Sequence, residues 1–161
     1  MTTTHIDTAE VAKIIRKELK AFPATKFSVR SSRYAGGSSI DVNWTDGPTE
    51  ESVKAKIGKF QGATFDGMID LKSYHDSIHE GQTVSFGNDF LFTRREYSVA
   101  FLSAVAADCS AKYGTSAPHI MDGGNHGYIV EDGECVGGGT QFDYYWMMRQ
   151  VVLREAGARK A

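Results

Sequence analysis

Val11, Ile14, Ile15, Leu19 and Phe22 recur at helical spacing, and Lys13, Arg16, Lys17 and Lys20 repeat the same spacing on the opposite face. Asp7, followed by Glu10 at the capping-box distance, offers a reciprocal cap over the first free N–H groups, and Pro23 stops the run. The pattern predicts a helix from about Asp7 to Phe22. Strict alternation then takes over. Phe27 and Val29 alternate with Lys26, Ser28 and Arg30, and Ile40, Val42 and Trp44 alternate with Ser39, Asp41 and Asn43, which predicts a hairpin over Ala35-Gly36-Gly37. Asp46-Gly47-Pro48 turns the chain, Thr49 offers a cap, and Val53, Ile57 and Phe60 mark a second helix ending at Gly62.

The second half is less regular. Met68 to Tyr74 reads as a short strand, and Thr83 to Phe86 with Phe90 to Phe92 reads as a hairpin around Gly87-Asn88. Ser98, Phe101, Leu102, Val105, Cys109, Lys112 and Tyr113 share a helical face before Gly114, predicting a long central helix. Strand candidates follow at His119 to Met121 and Tyr128 to Glu131. Thr140 is placed to cap a last helix through Phe142, Tyr145, Trp146, Arg149, Val152 and Leu153. The expected fold class is α+β, a single domain over residues 1–161. An N-terminal α-β-β-α block leads to a hairpin, the central helix, glycine-rich strands and a C-terminal helix, with a tail at 157–161.

Composition narrows the function classes. With 161 residues, 41% hydrophobic and 24% charged, the chain can bury its own core and is neither disordered nor low-complexity. No apolar run approaches a membrane span and the N-terminus lacks a secretory pattern, so the expected location is the cytoplasm, with no membrane partner. Two cysteines, Cys109 and Cys135, are too few for a disulfide framework. The net charge of −2 is unevenly spread. Residues 1–33 sum to +4 and 147–161 to +3, whereas 34–113 sum to −4 and 114–146 to −5. That last block holds Asp122, Glu131, Asp132, Glu134 and Asp143 with no lysine or arginine, and 8 of the 17 glycines.

Several residue sets have chemical potential. Lys13, Arg16, Lys17 and Lys20, continued by Lys26, Arg30 and Arg33, are spaced to follow a phosphate backbone, although any amphipathic helix also needs a solvated face. His75 and His79 stand at the spacing that would aim both imidazoles at one metal if Tyr74 to Glu80 were helical, but the zincin glutamate is missing and distant ligands would be needed. They read first as surface loop residues. Gly137-Gly138-Gly139-Thr140 lacks the lysine of a phosphate-binding loop and reads as a turn with a threonine cap. Cys109 falls on an apolar helix face, where an inert thiol is expected. Tyr34 beside Gly36-Gly37, with Arg30 and Arg33 leading in, marks a candidate contact hairpin.

One set of residues carries a resemblance. Ile15-Arg16-Lys17-Glu18-Leu19-Lys20, Phe22-Pro23, Lys26-Phe27-Ser28-Val29-Arg30-Ser31, Tyr34, Gly36-Gly37, Ser39-Ile40, Val42, Trp44-Thr45-Asp46-Gly47-Pro48-Thr49 and Phe65-Asp66-Gly67-Met68-Ile69-Asp70 resemble the large polyvalent protein-associated domain series, in its twenty-ninth member. The resemblance runs over about residues 8–100 and stops before the acidic, glycine-rich part at 114–146. It implies a module of bacteriophage and conjugative-element proteins, in conflict with host immunity, with no catalytic motif to carry over.

The reading that joins these observations is a non-catalytic counter-defence protein. It would bind a host defence complex, such as a CRISPR effector, and block its nucleic-acid surface with Asp122, Glu131, Asp132, Glu134, Asp143 and Tyr128. The alternative is a nucleic-acid-binding accessory protein using Lys13, Arg16, Lys17, Lys20, Arg30 and Arg33. A small metal-dependent enzyme on His75 and His79 is the third class. No cofactor is expected, and oligomeric state is left open.

Overall fold

A computed structural model describes residues 3–114, 117–124, 126–130 and 141–160. The chain forms two units, Met1–Trp44 with Glu50–Arg94, and Thr45–Thr49 with Arg95–Ala161. Helices and strands both occur throughout, as an α+β fold requires.

The first unit begins with β1 (Thr4–Ile6) and α1 (Thr8–Leu19). Asp7 caps α1 by accepting the Ala9 N–H at 3.3 Å, whereas Glu10 turns outward to Lys13 instead of closing the box. The helix ends at Leu19, short of Phe22, in overlapping turns from Lys20 to Thr25. The expected hairpin forms from β2 (Phe27–Tyr34) and β3 (Gly37–Thr45), with Val29 opposite Val42 and Arg30 opposite Asp41. Next come α2 (Glu50–Ile57) and a 3-10 turn at Gly58–Phe60. The strands β4 (Ala63–Asp66), β5 (Leu71–Tyr74), β6 (Asp76–His79), β7 (Gln82–Phe86) and β8 (Phe90–Glu96) follow.

Three sheets organise this unit, ordered β2-β3-β8, β1-β7-β6 and β4-β5. Its core gathers Val11, Ile15 and Leu19 of α1, Val53 and Ile57 of α2, Phe60, and the β3 residues Ile40, Val42 and Trp44. Burying such side chains supplies the main driving force for this arrangement.

Several expectations are corrected here. Thr83–Phe86 and Phe90–Phe92 are strands, but they join different sheets rather than each other. The Gly87-Asn88-Asp89 backbone bonds elsewhere: Gly87 N–H donates to Ile6 C=O, Asn88 C=O accepts from Gly62 N–H, and Asp89 N–H donates to Ser38 C=O. Neither Gly87 nor Asn88 has the positive φ that a two-residue hairpin turn needs. The strand expected at Met68 starts only at Leu71, after a turn in which Asp70 has φ 50°. Tyr74 to Glu80 is not helical, so the spacing that would have joined His75 and His79 at one metal is absent.

The second unit contains α3 (Val99–Tyr113), β9 (His119–Asp122), β10 (Gly127–Val130) and α4 (Gln141–Ala158). Ser98 caps α3 by accepting the Phe101 N–H at 3.1 Å, and Gly114 ends it in the left-handed region at φ 65°. β9 and β10 pair antiparallel, and Leu102, Val105, Cys109, Ile129, Val152 and Ala156 form this unit's core. Thr140 lies outside the described residues. The tail expected from Gly157 is in part helix, since α4 reaches Ala158 and Arg159 bonds Asp108 at 2.6 Å.

Candidate nucleic-acid interface

The basic stripe of α1 exists because its apolar face is fully used: Val11 and Ile15 are buried while Lys13, Arg16, Lys17 and Lys20 face solvent. The acids beside it are consumed. Asp7 pairs with Arg33, Glu10 with Lys13 at 2.5 Å, and Glu18 with Lys56 at 3.6 Å. Lys17, Lys20, Lys26 and Arg30 are exposed, and among the described residues they have no ion-pair partner. Arg16 keeps its charge but is fixed, its Nη2 donating to Val29 C=O at 2.7 Å. The structure therefore places Arg16 and Lys20 where α1 packs on β2 and Arg30 on the opposite face of that strand, and it engages Lys13 and Arg33 with acids. A groove of about 330 Å³ lies at this junction, lined by Leu19, Phe22, Pro23 and Phe27 together with Arg16 and Lys20. The rings of Phe22 and Phe27 stand 6.0 Å apart.

The β2-β3-β8 sheet adds a second surface. Val29, Ile40, Val42 and Trp44 point to the core, as does Leu91, and Thr93 Oγ1 donates to Glu50 Oε1 at 2.7 Å on α2. Alternation sends Ser28, Arg30 and Ser32 of β2, Ser39, Asp41 and Asn43 of β3, and Phe90, Phe92 and Arg94 of β8 to the other face. Phe90 and Phe92 stack at 5.9 Å with 11° between their planes, and Phe92 is 54% exposed. Sequence reasoning missed Phe92 and Arg94, although the alternation Phe90, Phe92, Arg94 against Leu91, Thr93, Arg95 was there to be read.

A polar cleft of about 450 Å³ is lined by His5, Asp7, Arg33, Tyr34, Ser38 and Asp89 among others. Its charges are internally matched. Arg33 pairs with Asp7, and Lys72 meets Asp89 at 2.6 Å while the same carboxylate accepts the Ser38 N–H at 2.8 Å. The bond to Asp89 holds the Lys72 ammonium above its ordinary range. This arrangement ties β3 to the Asp89 segment.

The remaining candidates fall apart in space. His75 Nε2 lies 2.9 Å from Thr64 Oγ1, and His79 sits edge-on to Phe60 and Phe86, at 5.8 and 6.0 Å. Among the described residues no cluster of metal-ligating side chains forms. Burial, then the nearby Glu155 charge, pushes the Cys109 thiol up, so it stays protonated. Of the acidic set, Asp122 is exposed at the end of β9 and accepts the Gly124 N–H at 2.7 Å. Asp143 lies on α4 and Tyr128 on β10, whereas Glu131, Asp132, Glu134 and Cys135 lie outside the described residues. Among the described residues no helix is long and apolar enough to cross a membrane.

No curated protein and no solved structure matches the chain. A family model does, the large polyvalent protein associated domain 29, over residues 6–98, which is more than half of the chain and includes α1 and all of the β2-β3-β8 sheet up to its last residue. The chain therefore belongs to the large polyvalent protein associated domain 29 family.

Proposed function

We propose that this protein, whose family associates it with bacteriophages and mobile elements, is a nucleic-acid-binding accessory protein that works through the basic face of α1 and β2. One observation carries the reading. The acids of α1 and its cap are all taken by Arg33, Lys13 and Lys56, while Lys17, Lys20, Lys26 and Arg30 are exposed and, among the described residues, have no ion-pair partner. Closely spaced cations of this kind release counterions when they meet phosphates, which gives affinity without sequence choice. The groove between α1 and β2 adds an apolar floor beside Lys20 and Arg16. The test is fluorescence anisotropy with labelled DNA and RNA at low salt. Lys17→Glu combined with Lys20→Glu weakens binding about tenfold or more, and undiminished binding overturns the proposal.

The second reading is the counter-defence inhibitor, in which an acidic surface of Asp122, Glu131, Asp132, Glu134, Asp143 and Tyr128 occupies a host complex. The exposed Asp122 at the end of β9, in a stretch of the sequence without lysine or arginine, favours it. It predicts recovery of a nuclease-resistant defence subunit from a bacterial lysate, abolished by Glu131→Lys with Asp132→Lys. Recovery that survives this charge reversal removes the acidic-surface mechanism.

A further inference from the structure

Resting on the nucleic-acid reading above, we infer that the open face of the β2-β3-β8 sheet is a stacking platform for the bases of a single strand, with Phe92 as its main contact. A core-facing sheet needs apolar residues on one face only, and the inner face of β3 already supplies Ile40, Val42 and Trp44. Phe92 does not contribute to that core, yet it stands 54% exposed and nearly parallel to Phe90. An exposed aromatic ring presents a flat apolar surface that accepts any base, and this is how sheet faces take up unpaired nucleotides. A base in a duplex has both of its faces occupied by neighbours and offers no such surface.

The charges around the ring fit the same ligand. Arg94 follows Phe92 on the same face of β8, and Arg30 stands on edge strand β2, both exposed and, among the described residues, without an ion-pair partner. Between them, on the central strand β3, Asp41 stands directly opposite Arg30. Cations at the two margins suit phosphates, and a carboxylate in the middle accepts hydrogen bonds from exocyclic amino groups of the bases. That layout favours bases turned toward the sheet with the backbone along its edges. Lys72 covers the neighbouring ring, its Nζ 5.7 Å from the centre of Phe90, which leaves Phe92 as the open position. Arg16 of α1 reaches the same edge strand, its Nη2 bonded to Val29 C=O.

The experiment measures affinity of the full chain for a short mixed-sequence single strand, as DNA and as RNA, and for the matching duplex. The inference expects the single strand to bind more tightly than the duplex. Phe92→Ala weakens single-strand binding about 5- to 150-fold, the range seen when one stacking ring is removed, while Phe92→Trp retains it and both variants still unfold cooperatively above the assay temperature. Comparing DNA with RNA shows which strand is preferred, and tight binding of either supports the platform. Equal affinity for strand and duplex, with Phe92→Ala binding like the parent and Lys17→Glu weakening both, overturns the platform and leaves the basic-face reading standing. Absence of binding to any of these probes at low salt overturns both.

Discussion

The two faces of the β2-β3-β8 sheet are built from alternate residues of the same strands and have opposite chemistry. Toward the helices lie Phe27, Val29, Ile40, Val42, Trp44 and Leu91. Away from them lie Ser28, Arg30, Ser39, Asp41, Asn43, Phe90, Phe92 and Arg94. On the inner face every large residue has a packing reason to be there. The outer face mixes serines, Ser28 exposed and Ser39 buried, with rings and arginines that lie outside the core. The β4-β5 hairpin sharpens the contrast. It exposes Phe65, Ile69 and Leu71, with Met68 94% exposed, but its tip residues Asp66 and Asp70 would repel phosphate. Exposed apolar area alone therefore does not define a nucleic-acid surface; the charges beside it decide.

The contrast can be broken most forcefully at Ile40, which is 0% exposed. Ile40→Ala is expected to cost about 2–5 kcal/mol in denaturant unfolding, whereas Phe92→Ala, which loses only its stacking on Phe90 and a half-buried ring, costs about 1 kcal/mol. Equal costs would mean that the outer face is part of a core. Consecutive arginines give the next test. Arg95 is buried, with Nε bonded to Asp46 C=O, Nη2 to Gly47 C=O and Nη1 to Ala156 C=O, each at 3.0 Å. Its guanidinium also lies over the rings of Tyr97 and Phe101. Arg95→Ala strands those carbonyls and should cost about 3 kcal/mol, while Arg94→Ala leaves stability within about 0.5 kcal/mol and weakens nucleic-acid binding.

The smallest expected effect lies under the sheet, at Glu50. Burial raises its carboxyl pKa, but hydrogen bonds from Lys54 and Thr93 and the Lys54 charge outweigh this and hold it below its ordinary value of 4.5. A depressed carboxylate contributes stability above the unfolded value that is lost as pH falls through the folded one. Glu50→Gln should therefore flatten the stability profile below pH 4.5 by well under about 1 kcal/mol, because Glu50 is partly exposed to solvent. A larger change, or one of opposite sign, would show that the carboxylate is held differently.

Much of the scaffold was legible. The Asp7 cap, the Val11-Ile15-Leu19 stripe, the β2-β3 hairpin, and Ser98 and Gly114 at the ends of α3 follow from local rules. What escaped was nonlocal. β1 is three residues long and pairs parallel with β7 across most of the first unit, so no turn announces it. Gly87-Asn88 looks like a hairpin turn in sequence and is instead a crossing between sheets, with Asn88 wholly buried. The basic stripe was readable as charge, but its division into paired Lys13 and Arg33 and, among the described residues, unpaired Lys17, Lys20 and Arg30 depends on where Asp7, Glu10 and Glu18 finish. Likewise the strand pattern around Phe92 is local, while the face it takes is set by Leu91 and Thr93 meeting the core and α2.

The most direct test of the account is the salt dependence of binding to a short single strand. Contacts from Lys17, Lys20, Lys26 and Arg30 predict that the logarithm of affinity falls linearly with the logarithm of salt concentration, with a slope of roughly −3, and that Lys17→Glu makes the slope shallower. A flat salt dependence, or no binding at low salt, would contradict the claim that these cations of α1 and β2 meet a phosphate backbone.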